Sequence, residues 1–449
     1  MLLTAIFIFV FTAVAFQSTV HVLGLWLVLL ITHGIFVQVF GEVAIHLPLY
    51  AGVISALIIL VKRDWKGVDP SILWLIGLLF FFMAISALQG MAIGRSLSIM
   101  MLYAKVFLLA ILIIGCVRDE KNIKVMTVYC IAGLIVGALY AVYQSLTGQF
   151  SVSNIYVQRA AGLRADPNDT AMLLLSGVPL SVYWLFQLKS KALKIIPAIS
   201  IVVLLIGIVL TGSRGGFVAL ALIFLAIYLK RPTIIATFVA VFIMVLAVTL
   251  APDSYKERIE SLVTGQEKHG SKSLESRSKL LSQGLTVFMN HPVLGVGAGN
   301  FGAAFMESLN SAEFSGSSGL AITGNTHLAA HNMYLEFFVE NGIIGGGLLI
   351  SIFLLSIIKL MKFDRENRQY QRSIYSLPFC ILLALLGMYF AGLFLSQGKN
   401  SVLWFIIGLG LSITNIKVKN NHEGGIEGKD KKEIKNNANE YMPRLRKHV

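Results

Sequence analysis

The sequence predicts an all-α protein that crosses a membrane many times, and composition is the first reason. Of its 449 residues, 56% are hydrophobic and only 13% are charged, whereas soluble domains average about 45–50% and about 25%. The second reason is that apolar runs recur at about the length of a bilayer-spanning helix, roughly 20 residues. This composition excludes an ordinary soluble enzyme. Three cysteines, an odd number, also argue against a secreted disulfide scaffold.

Thirteen apolar runs are candidate spans. The first two could instead form broken or re-entrant helices, so twelve spans fit the pattern equally well. The candidates are residues 2–17, 21–40, 45–61, 70–90, 97–117, 125–146, 171–187, 195–211, 216–229, 232–250, 333–358, 374–395 and 401–416. Because no Lys or Arg precedes Lys62 and no cleavage site is visible, we expect the first run to be a retained helix and not a signal peptide.

Basic residues alternate between the two sides of these predicted spans. One set of connections contains 16 Lys and Arg, and the short connections between them contain five. The basic set comprises residues 62–69, 118–124, 188–194, 229–232 and 359–373. The positive-inside rule places this set in the cytoplasm, together with a polar tail, residues 417–449, that we expect to be disordered. The net charge of +14 then reflects membrane orientation, and we expect no nucleic-acid partner.

The longest outer connection, residues 251–332, has the character of an ordered element. Residues 274–290 fit an amphipathic helix outside the membrane, and a glycine-rich stretch follows at 295–302. Loops of this length in a compact protein are usually functional or disordered, and the apolar content here favours an ordered, functional loop. We therefore expect residues 1–416 to form one transmembrane domain that includes this large, partly helical loop.

Positive charge on the outer side opposes the orientation rule, so each such residue calls for a reason. Arg95, Arg159, Arg164 and Arg214 lie in outer connections, and Lys105 lies within a predicted span, where charge is costly and commonly functional. A cluster of these groups would suit an anionic ligand such as a lipid phosphate or diphosphate. For any one arginine, snorkelling towards lipid headgroups is the simpler explanation.

The turn Thr211-Gly-Ser213-Arg214-Gly215-Gly joins two spans on the outer side. Its glycines permit a tight turn and a close approach to a ligand. The next helix starts here, so its N-terminal amides and dipole point outward and favour an anion. Arg214 could grip a diphosphate with paired hydrogen bonds, although a plain helical hairpin explains the same residues.

The span after the large loop begins with His331-Asn332, and nine residues later reads Gly342-Ile-Ile-Gly345. On a continuous helix Gly342 lies about 16 Å beyond His331, so we expect His331 at the outer mouth and the glycines deeper, where small residues let helices pack closely. A neutral imidazole at a helix N-terminus can accept a proton or orient a hydroxyl. His327 has metal-ligand spacing from His331, but nothing completes a ligand set, so we expect no metal.

Two further arginines lie near recognisable local patterns. Arg277 is on the predicted amphipathic helix, before the Pro- and Gly-rich stretch 292–301, and either reaches the membrane mouth or is a solvated helix charge. Arg164 precedes Asp-Pro-Asn168-Asp169, where we expect Asn168 or Asp169 to cap the next helix. Arg164 is therefore a further ligand candidate.

These motifs, in this order, resemble those of the O-antigen ligase and O-antigen polymerase family of bacterial membrane glycosyltransferases. The motif at 331–345 resembles the ligase motif at the end of the family's large periplasmic loop, and the turn at 211–216 its Ser-Arg-Gly turn. Arg277 with residues 292–301 resembles its loop arginine and the Pro-x-x-Gly-x-Gly stretch that follows. The element at 166–169 is similar to a recurrent family feature. The resemblance covers roughly residues 45–415.

The resemblance implies a GT-C-like fold and an inverting, metal-independent transfer of a glycan from undecaprenyl diphosphate to an acceptor hydroxyl, without a cofactor. The reaction would occur at the periplasmic face of the bacterial inner membrane. By resemblance Arg214 and Arg277 bind the diphosphate and His331 activates or positions the acceptor; preorganised guanidinium groups can stabilise a departing diphosphate without a metal. Arg164 and Lys105 are our further candidates for diphosphate binding. The supporting motif positions are Ser213, Gly215, Asn332, Gly342 and Gly345.

The acceptor stays open among lipid A-core, a growing O-antigen or exopolysaccharide chain, and a protein; the spacing of the His-Asn motif leans slightly towards a ligase. A different class, a transporter or flippase for lipid-linked sugars, also suits many spans in contact with membrane lipids and an outer basic cluster. Such transporters carry midplane polar sites in broken helices, often in repeated halves. The sequence shows only Lys105 deep in a span, and no internal repeat.

Overall fold

The computed structural model describes residues 11–14, 16–65, 67–148, 160, 162, 166–230, 271–308, 328–368 and 375–416. In these ranges all regular structure is helical. The helices, numbered in chain order, are α1 Thr19–Phe40, α2 Leu47–Lys62, α3 Pro70–Gln89, α4 Ile93–Cys116, α5 Glu120–Thr147, α6 Pro167–Gln187, α7 Ile195–Thr211, α8 Arg214–Lys230, α9 Ser271–Asn290, α10 Phe301–Ser308, α11 Met333–Glu366, α12 Leu377–Ala391 and α13 Ser401–Ile413. They lie in one compact unit, Met1–Thr414.

Six of these helices, α1, α3, α4, α5, α6 and α11, are long and apolar enough to cross a membrane. Four shorter apolar helices, α2, α7, α12 and α13, accompany them. The expectation of an all-α, polytopic membrane protein is confirmed. Most of the predicted span 2–17, all of 232–250 and the tail 417–449 lie outside the described residues, so the number of 12 or 13 spans stays a prediction.

Capping chemistry sets many of the helix starts. The Asp119 carboxylate accepts the N–H of Asn122 at 2.8 Å at the start of α5. At the start of α6, Asp166 accepts the N–H of Asn168 at 2.8 Å, and Pro167 takes the first helical position. The expectation that Asn168 or Asp169 caps this helix is therefore wrong, because the proline fixes the start one residue after Asp166.

Two contacts, one near each end of α11, join helix ends that the charge pattern assigns to the same side. At one end, Lys359 near the C-terminus of α11 pairs with Asp69, which precedes α3. At the other end, the N–H of Met333 at the start of α11 donates to the carbonyl of Gly392, which follows α12, at 2.8 Å. These contacts agree with the charge pattern, and the side of the membrane that each end faces stays a prediction.

Helix α13 lies at the centre of the bundle, and every residue from Ser401 to Ile413 is buried. The ring of Trp404 packs edge-on against Phe107 of α4, with 4.4 Å between ring centroids, and its indole N–H donates to the carbonyl of Gly398 at 2.7 Å. A helix that is apolar on all sides is stable only where other helices surround it, which explains this position.

Helix α11 is broken, and here the prediction of a continuous helix through Gly342 is wrong. Gly342 has φ 65° and ψ −171°, which is not helical. A Cβ atom on Gly342 would stand 2.1 Å from the carbonyl oxygen of Val293, so the glycine lets the two backbones meet. A Cβ on Gly345 would meet Asn341 of its own helix at 2.5 Å. In the described structure Gly342 therefore allows the break, and the two glycines do not form the predicted helix-packing face.

Residues 271–308, which we call the outer segment, share a small apolar core with the first turns of α11. Its buried members are Leu280, Val287, Val296, Phe301, Ala304, Phe305, Ala330, Leu335 and Val339. The predicted amphipathic helix is confirmed as α9, whose Gly284 lies so close to Leu335 that a Cβ would stand 2.9 Å from the Leu335 side chain. The part of α11 before the break thus packs with the outer segment.

We expect Gly342→Ala to destabilise the protein by at least about 2 kcal/mol, because alanine rarely adopts this backbone conformation and its Cβ would overlap the Val293 carbonyl. The matched control is Gly347→Ala in the same helix, where a Cβ meets open space. That control should stay within about 1 kcal/mol of the wild type. The midpoint of thermal unfolding in detergent measures both, and equal midpoints for the two variants would contradict the described break.

The Asp69–Lys359 pair should make stability depend on pH in the acid range. The Lys359 ammonium, helped by Ser71, lowers the pKa of Asp69 from 3.8 to about 2. Because the folded-state pKa is depressed, this contribution is present above pH 3.8 and is lost as the pH falls towards about 2. Both side chains are partly exposed, so we expect less than about 1 kcal/mol. Asp69→Asn keeps the helix cap but lacks the charge, so its unfolding midpoint should approach that of the wild type as the pH falls.

Candidate functional site

The Arg214 turn has the local structure that the sequence indicates. Helix α7 ends at Thr211, and Gly212 follows with φ 57°, a left-handed conformation that suits glycine. The buried Ser213 accepts the N–H of Gly216 through its hydroxyl at 3.2 Å, which satisfies one open amide at the start of α8. Arg214 is the first residue of α8 and is half-buried. The Arg214 side chain is thus attached to a rigid helix terminus.

His331 has an unusual backbone, with φ 48° in a residue that is not glycine. Such conformations cost about 1–3 kcal/mol and persist where the surrounding structure imposes them. The next residue, Asn332, is the N-cap of α11, and its side-chain oxygen accepts the N–H groups of Tyr334 and Leu335, both at 3.0 Å. Asn332 therefore anchors the chain directly after the strained histidine.

Two more hydrogen bonds hold the chain on either side of His331. The N–H of Ala330 donates to a carboxylate oxygen of Glu336 at 3.1 Å. The N–H of Met333 donates to the carbonyl of Gly392 at 2.8 Å. The backbone around His331 is thus fixed before any ligand binds, as a group that must meet a substrate in one geometry requires.

The Arg214 turn and the His331 turn both contact the connection between α12 and α13, residues 392–400. A Cβ on Gly215 would stand 3.2 Å from the Cβ of Phe394, so the Arg214 turn lies against this connection. The bond from Met333 reaches Gly392, two residues earlier. The structure therefore brings together two motifs that are more than 100 residues apart in the chain.

Ala160, which precedes α6 in the chain, lies near the Arg214 turn as well. The N–H of Ala160 donates to the carbonyl of Leu210 at 3.3 Å, and the N–H of Gly162 donates to the side chain of Gln144 at 2.8 Å. Arg164 itself lies outside the described residues. Ala160, four residues before it, is thus anchored at the end of α7.

Arg277 lies on α9, but its side chain is outside the described part of the chain. Position 277 precedes Gly284 by seven residues, or two helical turns, and so shares a helix face with it. Gly284 is the point of close approach to Leu335 of α11. The backbone thus places position 277 on the face of α9 that packs towards the helix that follows His331.

Lys105 is not brought to these turns by the contacts of α4. One residue of α4 that meets this region is Tyr103, whose ring centroid lies 5.8 Å from that of Phe337 and whose hydroxyl approaches Gly398. Two residues rotate a helix by about 200°, so Lys105 starts on the opposite face of α4.

The sequence reasoning missed Glu340, a carboxylate one turn after Glu336 on α11. Glu340 is only 5% exposed, and it accepts hydrogen bonds from the outer segment. A charged residue within an apolar span was a usable signal, and the same criterion had selected Lys105.

An apolar groove of about 480 Å³ runs between α8, α11 and α12. Its lining includes Leu222, Ile223, Phe353, Leu386, Phe390 and Leu393. Tyr334, near the start of α11, also lines the groove. Its hydroxyl donates to the carbonyl of Tyr389 at 2.8 Å, so this polar group has a hydrogen-bond partner. Because Leu393 and Phe394 are adjacent in the chain, one end of the groove adjoins the connection that both motif turns contact.

Among the described residues, no group of three or more His, Cys, Asp or Glu side chains is arranged to hold a metal ion.

Comparison with known families shows that residues 199–350 match the family model for O-antigen ligase. This stretch includes the Arg214 turn, α9, the glycine-rich chain after it and the His331 motif. No curated protein matches the sequence. The chain is thus a multi-pass membrane protein in which residues 199–350 are similar to the O-antigen ligase family.

Proposed function

We propose that the protein transfers a glycan from undecaprenyl diphosphate to an acceptor hydroxyl at the periplasmic face of the bacterial inner membrane. The observation that carries this proposal is the meeting of the Arg214 and His331 turns on one connection, at the end of an apolar groove. Transfer from a lipid-diphosphate donor needs three features: a group that binds the anion, a group that accepts a proton and an apolar groove for the lipid chain.

Arg214 supplies the diphosphate contact in this proposal. Negative charge develops on the departing diphosphate, and a guanidinium group at a helix N-terminus stabilises that charge with paired hydrogen bonds. Arg277 on α9 and Arg164 before α6 would contribute from the neighbouring elements. Such a set needs no metal ion. We leave Lys105 out of the site because it starts on the face of α4 opposite to Tyr103.

His331 acts on the acceptor. Its imidazole takes the proton of the acceptor hydroxyl, or orients that hydroxyl, as the acceptor oxygen attacks the anomeric carbon. The bond from that carbon to the diphosphate oxygen breaks, the pair of electrons leaves with the diphosphate, and the configuration inverts. The fixed backbone of His331 holds the imidazole for this step.

We further propose lipid A-core as the acceptor, in line with the family name, so that the reaction is O-antigen ligation. Extension of a growing O-antigen or exopolysaccharide chain and glycosylation of a protein use the same donor and the same site chemistry. The molecule that becomes glycosylated when purified protein receives the donor with each acceptor in turn decides among them.

The broken helix α11 bears on the alternative of a transporter, since transporters bind substrates at broken helices that line a cavity. Here the chain of the outer segment occupies the break, with the Val293 carbonyl against Gly342 and the Pro292 carbonyl bonded to the N–H of Ile343 at 2.8 Å. A break filled by the protein's own backbone favours an enzyme over a transporter.

We expect Arg214→Ala and Arg277→Ala each to lower the turnover of a lipid-diphosphate glycan by about 10²- to 10³-fold, because each removes a preorganised donor to the leaving group. His331→Ala should lower turnover by about 10²-fold or more, the usual scale of acid–base assistance. Release of the lipid diphosphate in detergent measures the rate, and excess chelator should leave it unchanged.

Lys279→Ala is the matched control for these variants, because it removes an exposed cation two residues from Arg277 on the same helix. It should turn over like the wild type. Normal turnover in the Arg214, Arg277 and His331 variants, or loss of turnover with chelator, would refute the proposed site.

Filling the groove should weaken binding of a long-chain donor. Leu386 lines the groove and is partly exposed, so Leu386→Trp should raise the KM for an undecaprenyl donor about tenfold, by loss of buried hydrocarbon. A donor with a short prenyl chain should be affected much less. Leu139→Trp, at an exposed apolar position of α5 away from the groove, is the control. Equal effects on long and short donors would show that the chain does not lie in this groove.

A further inference from the structure

Glu340 joins the outer segment to the membrane helices through its side chain. It lies just before the break in α11 and is buried. Its carboxylate accepts the N–H of Phe301 at 3.4 Å, where α10 begins. A buried carboxylate is stable only where donors satisfy it, and here the start of a helix in the outer segment supplies such a donor.

The backbone of Glu340 makes a second set of bonds. Its carbonyl accepts the N–H of Gly297 at 2.9 Å and the hydroxyl of Ser86 in α3 at 2.8 Å. One residue thus links the outer segment, α3 and α11. Three separate parts of the chain therefore meet at position 340.

The chain around Glu340 is shaped for this contact. Gly295 has φ 73°, and a Cβ on it would stand 2.5 Å from the carbonyl carbon of Glu340, so only glycine fits there. The N–H of Val296 donates to the carbonyl of Val339 at 3.0 Å. The outer segment therefore runs along the open backbone of α11 in one register.

We propose that Glu340 is a positioning residue, which holds α9 and its Arg277 in a fixed place relative to His331. The proposal rests on the proposed function, since it concerns the geometry of the same site. Glu340 acts through the start of α10 and the chain that connects it to α9, and not by contact with substrate. Removal of its acceptor oxygens leaves the Phe301 amide buried without this partner and frees the outer segment to shift.

The test compares Glu340→Gln, which keeps an acceptor oxygen, with Glu340→Leu, which has none. We expect Glu340→Leu to lower kcat by about a hundredfold, the scale of a 1 Å misplacement. The acceptor KM should change by less than about threefold, because ground-state binding is not removed. Glu340→Gln should restore most of the activity. Equal loss in both variants, or a change confined to KM, would overturn the proposal.

A distance measurement keeps this test independent of activity. Spin labels at Ser282→Cys in α9 and Ser351→Cys in α11, both at exposed positions, report how the outer segment lies relative to the membrane helices. The background replaces the buried Cys116, Cys130 and Cys380 with alanine. We expect the distance distribution to broaden in Glu340→Leu and to stay as in the wild type in Glu340→Gln.

A second label pair, Val136→Cys in α5 and Ile199→Cys in α7, lies at exposed positions of membrane helices and serves as the control. Its distances should be the same in all variants; broadening there would show general loosening and would refute positioning by Glu340. An unchanged Ser282–Ser351 distance in Glu340→Leu would also refute it. A wild-type protein that transfers no glycan would refute the proposed function alone, and the distances would still decide the role of Glu340.

Discussion

The opened backbone at Gly342 is the constraint on which much of the site depends. Amide and carbonyl groups that leave a helix within a membrane protein must find partners in the protein itself, since lipid offers none. Here they find them in the chain that follows α9, through Pro292, Val296 and Gly297. Gly342, which looks like a packing residue in the sequence, allows the two backbones to approach. The break, the outer segment and the start of α11 are therefore one structural unit.

Much of this architecture could be predicted from the sequence, because apolar runs, caps and turn residues act locally. The helix starts at Arg214 and Asn332 and the amphipathic helix α9 follow from such signals. The break at Gly342 does not, because glycines spaced by three residues suit close helix packing equally well. Only the partner backbone distinguishes the two, and that partner lies about 50 residues earlier in the chain.

In the candidate site, too, local sequence signals predict some features, and long-range contacts decide the others. Lys105 is a candidate because it is a charged residue within a span. Whether such a residue contacts a site depends on the helix face that it lies on. The ring contact of Tyr103 with Phe337 identifies a face of α4 that packs towards α11, and Lys105 is not on that face. Glu340 satisfied the same criterion and was passed over, since its partners are amides of a distant segment. Asp166, Asn168 and Asp169 share one capping chemistry, and the proline between them settled which one caps. Contacts with distant parts of the chain, and not residue type, therefore distinguish Glu340 from Lys105.

The central position of α13 has a consequence for how the protein is made. This helix is enclosed on every side, yet it follows α1 to α12 in the chain, so the earlier helices enter the bilayer before their common centre exists. Until Trp404 and its neighbours arrive, the faces of α4, α11 and α12 that later surround α13 meet lipid or one another. Of the described helices, the one that the others enclose is therefore the last to be synthesised and inserted.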